Sequence, residues 1–352
     1  MAVDAVRLQK ILDDAVNSGE ECGLQLTVYQ NGKLAAELCS GFTDSSREKK
    51  VTCDTLFPIF SSGKAVMATA FHMLKEEVGF DYSEKVSRYW KEYGCNGKED
   101  TEILHILSHR SGVHVTPQVG NTSDLLADWD LMCGMIANAV PAWVPGTKCG
   151  YQSISFAWLL GELAYRISDI PFKEYITRRI LEPLGVADKF FFGIPSGYEA
   201  QMADIDATAF PAGEPVFTSE FHGNPKLRHG FIPSANGIAT AGAAAKIFNN
   251  LYHDMKLLAP ETIENATILS RHPDDPVTVA WTKFGLGYVL PVWETSGGDI
   301  FGHGGAAGAE LLYCKSLDMA LCFVKNRAIP EHPYHPVRDK IADVLGLPHI
   351  IW

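Results

Sequence analysis

Ser61 and Lys64 are the residues of this chain best spaced for chemistry. They stand three positions apart at the head of an apolar run, Ala65 to Lys75, whose composition predicts a long helix. At helical pitch this spacing puts the hydroxyl and the amine on adjacent turns of one face, where the amine can take the hydroxyl's proton. A serine hydroxyl is a poor nucleophile until a neighbouring base accepts that proton. A helix N-terminus adds positive potential and free backbone N–H groups aimed at whatever the hydroxyl attacks. Ser62 has Ala65 at the same spacing and so lacks the amine. Because a serine at a helix start is also an ordinary N-cap, the pair needs partners further along the chain.

The elements that must hold Ser61 are legible around it. Val6, Leu8, Ile11, Leu12 and Val16 repeat at helical spacing and predict a helix over 4–18. Gly23 to Tyr29 alternates as a strand, Asn31-Gly32 supplies a tight hairpin turn, and Lys33 to Phe42 returns. Leu56 to Phe60 leads into the Ser61 helix, which is expected to run to about Glu77 and stop at Gly79. Further on, 156–168 reads as an apolar helix and 190–228 as loops with a short strand over 189–193. The segment from Ser234 to Gly242 precedes a helix ending near His253. Residues 284–290, 310–314 and 319–325 read as strands and 337–345 as a last helix.

Strands at both ends with helices between imply an α+β fold. One antiparallel sheet is formed from both chain ends and flanked by helices, with a mostly helical region inserted. The 352 residues are expected to form one domain, with an α/β part at about 1–60 and 240–352 and a helical part at about 61–239. No repeat, low-complexity tract or linker interrupts it.

A net charge of -12, with no Lys/Arg cluster to track a phosphate backbone, argues against a nucleic-acid partner. The first residues carry acids throughout and lack the basic and uninterrupted apolar regions of a signal peptide. No run of about 18 apolar residues offers a membrane span. The expectation is a cytoplasmic protein without membrane association. Eight cysteines scattered at 22, 39, 53, 95, 133, 149, 314 and 322, with no Cys-x-x-Cys, read as reduced core residues.

Three histidines, His105, His109 and His114, invite a metal reading, since the first two would share a helical face. No acidic residue sits with them, so the reading is set aside. Their segment, LSHRSG at 107–112, instead resembles the Leu-x-His-x-Ser-Gly stretch of class C β-lactamases and family VIII carboxylesterases, in which it is structural. The Ser61-x-x-Lys64 pair is similar to the nucleophile motif of serine β-lactamases and penicillin-binding proteins. Tyr151-x-Ser153, after the Pro145-Gly146-Thr147 turn, falls where these enzymes keep Tyr-x-Asn or Tyr-x-Ser. His303-Gly304-Gly305 sits where the superfamily carries Lys-Thr-Gly, and a His-x-Gly form resembles the D-aminopeptidases. The motifs follow the family's order and, with the Pro-Leu-Gly segment at 183–185, cover nearly the whole chain.

The resemblance implies a serine β-lactamase-like fold and an acyl-enzyme on Ser61, with the oxyanion held by the N–H groups of Ser61 and Ala306. It implies substrate contacts at Ser153, His303, Gly304 and Gly305, and no metal or organic cofactor. Either neutral Lys64 or ionised Tyr151 can serve as the base, since each must be poised by its surroundings to act near neutral pH. Ser153 replaces the asparagine that β-lactamases use on the substrate's amide, and His303 replaces a cationic lysine that attracts its carboxylate. A small-ester carboxylesterase is therefore expected ahead of a β-lactamase, a D-amino-acid amidase or peptidase, or an acyltransferase to a small acceptor. Protonation of His303 is expected to restore attraction to anionic substrates. A Gly-x-Ser-x-Gly elbow, a phosphate loop and a dinucleotide fingerprint are all absent, and a non-enzymatic scaffold has no use for Ser61, Lys64, Tyr151 and His303 together.

Overall fold

The structure, a computed structural model, describes residues 2–116, 123–270, 283–330 and 336–350. Helix α1 (Ala5–Asn17) starts at Asp4, whose side chain accepts from the Arg7 N–H. Strands β1 (Gly23–Gln30) and β2 (Lys33–Gly41) form the expected hairpin. Its turn needs positive φ at both central residues, and Asn31 (51°) and Gly32 (75°) supply it. Strand β3 (Phe57–Phe60) then feeds helix α2 (Gly63–Val78), which ends on left-handed Gly79 as its sequence predicts. Residues 63–74 of α2 are all buried, as a helix apolar on every side requires.

The middle of the chain is mostly helical: α3 (Ile103–Leu107), α4 (Trp129–Asn138), α5 (Phe156–Ser168) and α6 (Phe172–Ile176). After β4 (Phe190–Phe192) come α7 (Phe217–Gly223), α8 (Pro225–His229), β5 (Gly237–Ala239), α9 (Ala241–Asn249), α10 (Pro260–Ala266) and α11 (Trp293–Ser296). The chain closes with β6 (Ile300–Gly304), β7 (Glu310–Cys314), β8 (Met319–Lys325) and α12 (Pro336–Leu345). A five-stranded sheet in the order β2-β1-β8-β7-β6 joins the first strands to the last, with every pair antiparallel. A second sheet, β3-β5-β4, is also antiparallel.

Side chains alternate across the large sheet with period two. Leu24, Leu26, Leu321 and Phe323 pack with Leu8, Leu12 and Ile341, so α1 and α12 cover one face. Ala320, Cys322 and Val324 point the other way, into the larger core that holds α9 and α2. Gln25 also lies off the α1 face, where its side chain accepts from the Ala241 N–H at the start of α9.

Three expectations need correction. Residues 284–290 are no strand: only single bridges, Phe284 to Val289 and Val289 to Gly302, mark the segment. A Cβ at Gly285 would lie 2.1 Å from the Ala266 carbonyl oxygen, and Gly287 adopts φ 82° against Ala68. The glycines serve a close turn against α2 and α10, not a ladder. The loops expected over 190–228 contain α7 and α8, and the helix expected to end near His253 stops at Asn249. Among the described residues, no helix is long and apolar enough to cross a membrane. All eight cysteines are free thiols, with Cys39, Cys53 and Cys95 only partly buried.

Candidate active site

Ser61 sits on the turn between β3 and α2, and the turn is sharp because Phe60 holds φ 44°, a left-handed conformation costly for a phenylalanine. The β3–β5 register slips between Pro58 and Phe60, and the Ser62 N–H closes the turn on the Ile59 carbonyl at 3.0 Å. Gly63 permits the helix to start here, since a Cβ would lie 2.6 Å from the Phe192 ring. Ser61 is left partly exposed. Ser62 is 1% exposed, its hydroxyl turned inward without a partner among the described residues. The Lys64 N–H bonds back to the Ser61 carbonyl at 2.9 Å, so the first turn of α2 spends part of its donor set on itself.

Lys64 is fully buried. Its Nζ lies 2.9 Å from Ser61 Oγ and 2.6 Å from the Ser234 carbonyl, and Ser61 Oγ is 3.3 Å from the same carbonyl. The carbonyl is aimed by its own residue, whose hydroxyl donates to the Ile154 carbonyl at 2.7 Å. Burial holds the Lys64 ammonium well below the ordinary lysine range. A neutral amine fits the two contacts, with an N–H to the carbonyl and its lone pair to the serine hydroxyl.

Tyr151 lies on the loop ahead of α5, its ring 5.0 Å from Lys64 Nζ and its hydroxyl in hydrogen-bonding contact with Ser61. Burial pushes its phenol above the ordinary tyrosine value, and the Ser61 contact offsets this only in part. Phe284 stacks on the ring at 5.9 Å and His109 meets its edge at 5.1 Å. His109, at φ 59°, accepts from the Gln152 N–H at 3.2 Å. The Gln152 amide donates to the Ile106 carbonyl at 2.8 Å and accepts from the Ser111 hydroxyl. Residues 106–111 and 151–152 thus form one buried polar bracket that fixes the tyrosine. Ser153 is exposed on the outer side of this loop.

His303 and Gly304 end strand β6. The His303 Nδ1–H donates to the Gly304 carbonyl at 2.6 Å, which leaves Nε2 as an acceptor, buried and without a partner among the described residues. Its ring lies 5.9 Å from that of Tyr151. Burial, and then the charge of Lys64, push the imidazole down to about 3. Gly305 packs directly on β3: a Cβ there would fall 2.2 Å from the Ile59 carbonyl oxygen. This contact seats the exposed Ala306 beside the Ser61 turn, and among the described residues neither the Ser61 nor the Ala306 N–H has an acceptor.

The chain matches the family model described as Beta-lactamase over residues 8–346. It belongs to the beta-lactamase family. Among the relatives of this beta-lactamase-family chain is Esterase/beta-lactamase LipL of Mycobacterium tuberculosis, 25% identical over 94% of the chain and 82% of that protein. A beta-lactamase of Escherichia coli is 27% identical over 51% of the chain, a match that spans 46% of that protein. Among solved structures, a family VIII carboxylesterase superposes with a TM-score of 0.88 at 22% identity, covering 97% of this chain and 96% of that one. A penicillin-binding-protein homologue from Caulobacter crescentus reaches 0.83 at 25% identity, over 96% of both chains.

The structure brings Ser61, Lys64, Tyr151, His303, Gly305 and Ala306 to one place and leaves Ser153 at the margin. The three histidines part company. His105 accepts from the Glu102 N–H at 3.1 Å, His114 lies tilted against Trp143 at 4.7 Å, and His109 faces Tyr151. The shared helical face expected for His105 and His109 does not exist, because α3 ends at Leu107. Sequence reasoning missed the Ser234 carbonyl, a backbone group with no side-chain signature. It also missed the Phe284 wall, though an aromatic beside a Gly-x-Gly turn was a usable signal.

Proposed function

We propose that this protein is a serine hydrolase that cleaves small neutral carboxylic esters through an acyl-enzyme on Ser61. Lys64 is the base: its buried, neutral amine takes the Ser61 proton as Oγ bonds to the ester carbonyl carbon. The negative charge that develops on the carbonyl oxygen is met by the N–H groups of Ser61 and Ala306, whose preorganised dipoles typically contribute a few kcal/mol. Tyr151, kept protonated by burial, hands its proton to the departing alkoxide as the carbonyl-to-alkoxide bond breaks, and it is reprotonated from Lys64. Water then attacks the acyl-enzyme by the reverse route, releasing the acid and restoring Ser61.

The observation that carries this reading is the 2.9 Å contact between Ser61 Oγ and a lysine amine whose burial favours its neutral form. It favours Lys64 over an ionised Tyr151. His303 and Gly304 line the strand edge along which substrate lies, and Ser153 contributes at its margin. A neutral His303 offers an acceptor in place of a cation, so carboxylate-bearing lactams and peptides gain little from it. The attraction once expected from protonated His303 falls below the working pH range. The large core running from Val51 to Val324 supports one catalytic domain, with the α/β and helical parts meeting at Ser61. Free thiols at all eight cysteines suit a reducing, cytoplasmic setting.

Exposure to a fluorophosphonate probe, and separately to a slowly turned-over p-nitrophenyl ester, followed by peptide mass spectrometry, tests the assignment. Adduct mass on Ser61 is expected. Adduct on Ser62, or full activity in Ser61→Ala, overturns it. β-Lactams and D-amino-acid amides are the comparison substrates, and a penicillin turned over as fast as the best ester would reverse the substrate preference.

A further inference from the structure

A cavity of about 370 Å³ lies where α4, α5 and α6 meet the chain at Phe231, and among the described residues it shares no lining residue with the Ser61 site. The volume falls within the range of about 300–1,000 Å³ typical of small-ligand pockets. Trp129 and Phe231 set tilted rings 5.2 Å apart in its lining, and Tyr165 and Phe172 add two more. Gly161 lets the indole lie against α5, since a Cβ there would fall 2.6 Å from the Trp129 ring. The charged groups beside these rings are unequally engaged. Glu162 accepts from Trp129 Nε1 at 3.0 Å and from Arg166 Nε at 2.8 Å, and Arg166 also reaches Glu92 at 3.5 Å. Lys173 has no hydrogen-bond or carboxylate partner among the described residues. Its amine lies 6.0 Å from the centre of the Phe231 ring, and desolvation lowers it from the ordinary lysine value with no acid to raise it. The remaining charge in the lining is Asp130, exposed in the first turn of α4.

We infer that this cavity is a second binding site, for a small aromatic monocarboxylic acid whose ring packs on Trp129 and Phe231 and whose carboxylate meets Lys173. Flat rings reward a flat aromatic ligand through offset and edge contacts as well as buried area. The indole N–H and the Arg166 guanidinium already have acceptors, so the donors left for a ligand are those of the Lys173 ammonium. A carboxylate takes them in charge-assisted hydrogen bonds, which are about twice as strong as neutral ones. Bare inorganic phosphate would leave the four rings uncovered. A second negative charge on the ligand would add repulsion from Asp130, so one carboxylate is favoured over two.

Calorimetric titration of the full chain with 2-naphthoate, its neutral amide 2-naphthamide and 2,6-naphthalenedicarboxylate tests the site. Saturable binding of 2-naphthoate is expected with a Kd of about 1 mM or tighter. The acid is expected to bind about five- to tenfold tighter than the amide, and tighter than the dicarboxylate. Lys173 is an exposed position, so its variants are expected to fold as the wild type does. Lys173→Met should bring the acid down to the amide's affinity and leave the amide unmoved, while Lys173→Arg should keep the preference. Fluorophosphonate labelling of Ser61, followed by mass spectrometry, should proceed at an unchanged rate with 2-naphthoate saturating. Absence of saturation by about 10 mM overturns the site. So does equal affinity for acid and amide, or a preference that survives Lys173→Met. Labelling of Ser61 blocked in proportion to occupancy would place the acid at Ser61 and overturn the second site. A folded protein that the probe never labels counts against the hydrolase reading alone, and the Lys173 variants still decide the cavity.

Discussion

The two faces of the five-stranded sheet treat buried cations differently. On the face covered by α1 and α12, Lys325 and Arg338 are both buried and both paired. Lys325 bonds Glu21, and Arg338 holds Glu310 through three contacts at 2.9, 3.0 and 3.3 Å. Burial pushes the Glu21 carboxyl up and Lys325 pulls it back, so the pair supplies its own compensation. On the face that carries the site, Lys64 is equally buried, yet it meets a neutral carbonyl and a hydroxyl. A charge buried without a counter-charge gives up its proton instead. The fold thus uses paired ions as structure on one side and, on the proposed mechanism, an unpaired amine as a base on the other.

The sharpest way to break this contrast is to remove each partner. Ser61→Ala is expected to lower kcat/KM by about 10⁴- to 10⁶-fold with the melting transition essentially unmoved. Lys64→Met is expected to cost about 10³- to 10⁴-fold in kcat. In urea unfolding Lys64→Met should be as stable as the wild type or more so, because an apolar chain replaces a desolvated amine. Lys325→Met leaves Glu21 buried without its cation and is expected to lose about 3–5 kcal/mol. Equal stability losses in the two lysine variants would erase the distinction.

Tyr151→Phe should cost about 10²- to 10³-fold in kcat, and the Lys64→Met, Tyr151→Phe double variant little more than Lys64→Met alone. Strictly additive losses would show two independent groups in place of one proton path. The pH dependence has a definite sign. A lysine whose folded pKa is lowered binds fewer protons in the native than in the unfolded state, so stability rises with pH until the unfolded amine also loses its proton near about 10.5. That contribution, at most about 1.4 kcal/mol per pH unit, should vanish in Lys64→Met. The same titration gives kcat/KM an ascending limb below the ordinary lysine range. The smallest expected effect is at His303. With its imidazole pushed down to about 3, the ratio of KM for an anionic and a neutral ester should stay flat between about pH 5.5 and 8.5.

Much of this was legible in the sequence wherever a local rule sufficed. The Asn31-Gly32 turn, the strands over 310–314 and 319–325, and the stop at Gly79 follow from backbone preference and period-two alternation. Ser61, Lys64, Tyr151 and His303 were singled out because their spacing and order are chemical, and the fold brings them to one place. What failed was non-local. Gly285 and Gly287 read as part of a strand because the reason for them, Ala266 and Ala68, lies on other elements. Helices α7 and α8 were hidden by aromatic and proline-rich composition that suits loops equally well. The Lys64 amine is held by the Ser234 carbonyl, 170 positions along the chain, and a carbonyl leaves no mark on composition.

The pairing of β1 with β8, which sets Leu24 opposite Lys325, has a consequence in time. During synthesis from the N-terminus, Ser61 and Lys64 emerge early, while Ala306 and the strand that completes the large sheet come roughly 240 residues later. Until then β1 has only β2 beside it, and one edge stays open. On the proposed mechanism, the nucleophile and its base therefore exist on the ribosome well before the second oxyanion donor does. A nascent chain carries a serine and a lysine with nothing to stabilise the charge they would create. On that mechanism hydrolysis waits for the last strands, so an abandoned or truncated chain is expected to be silent as well as unfolded.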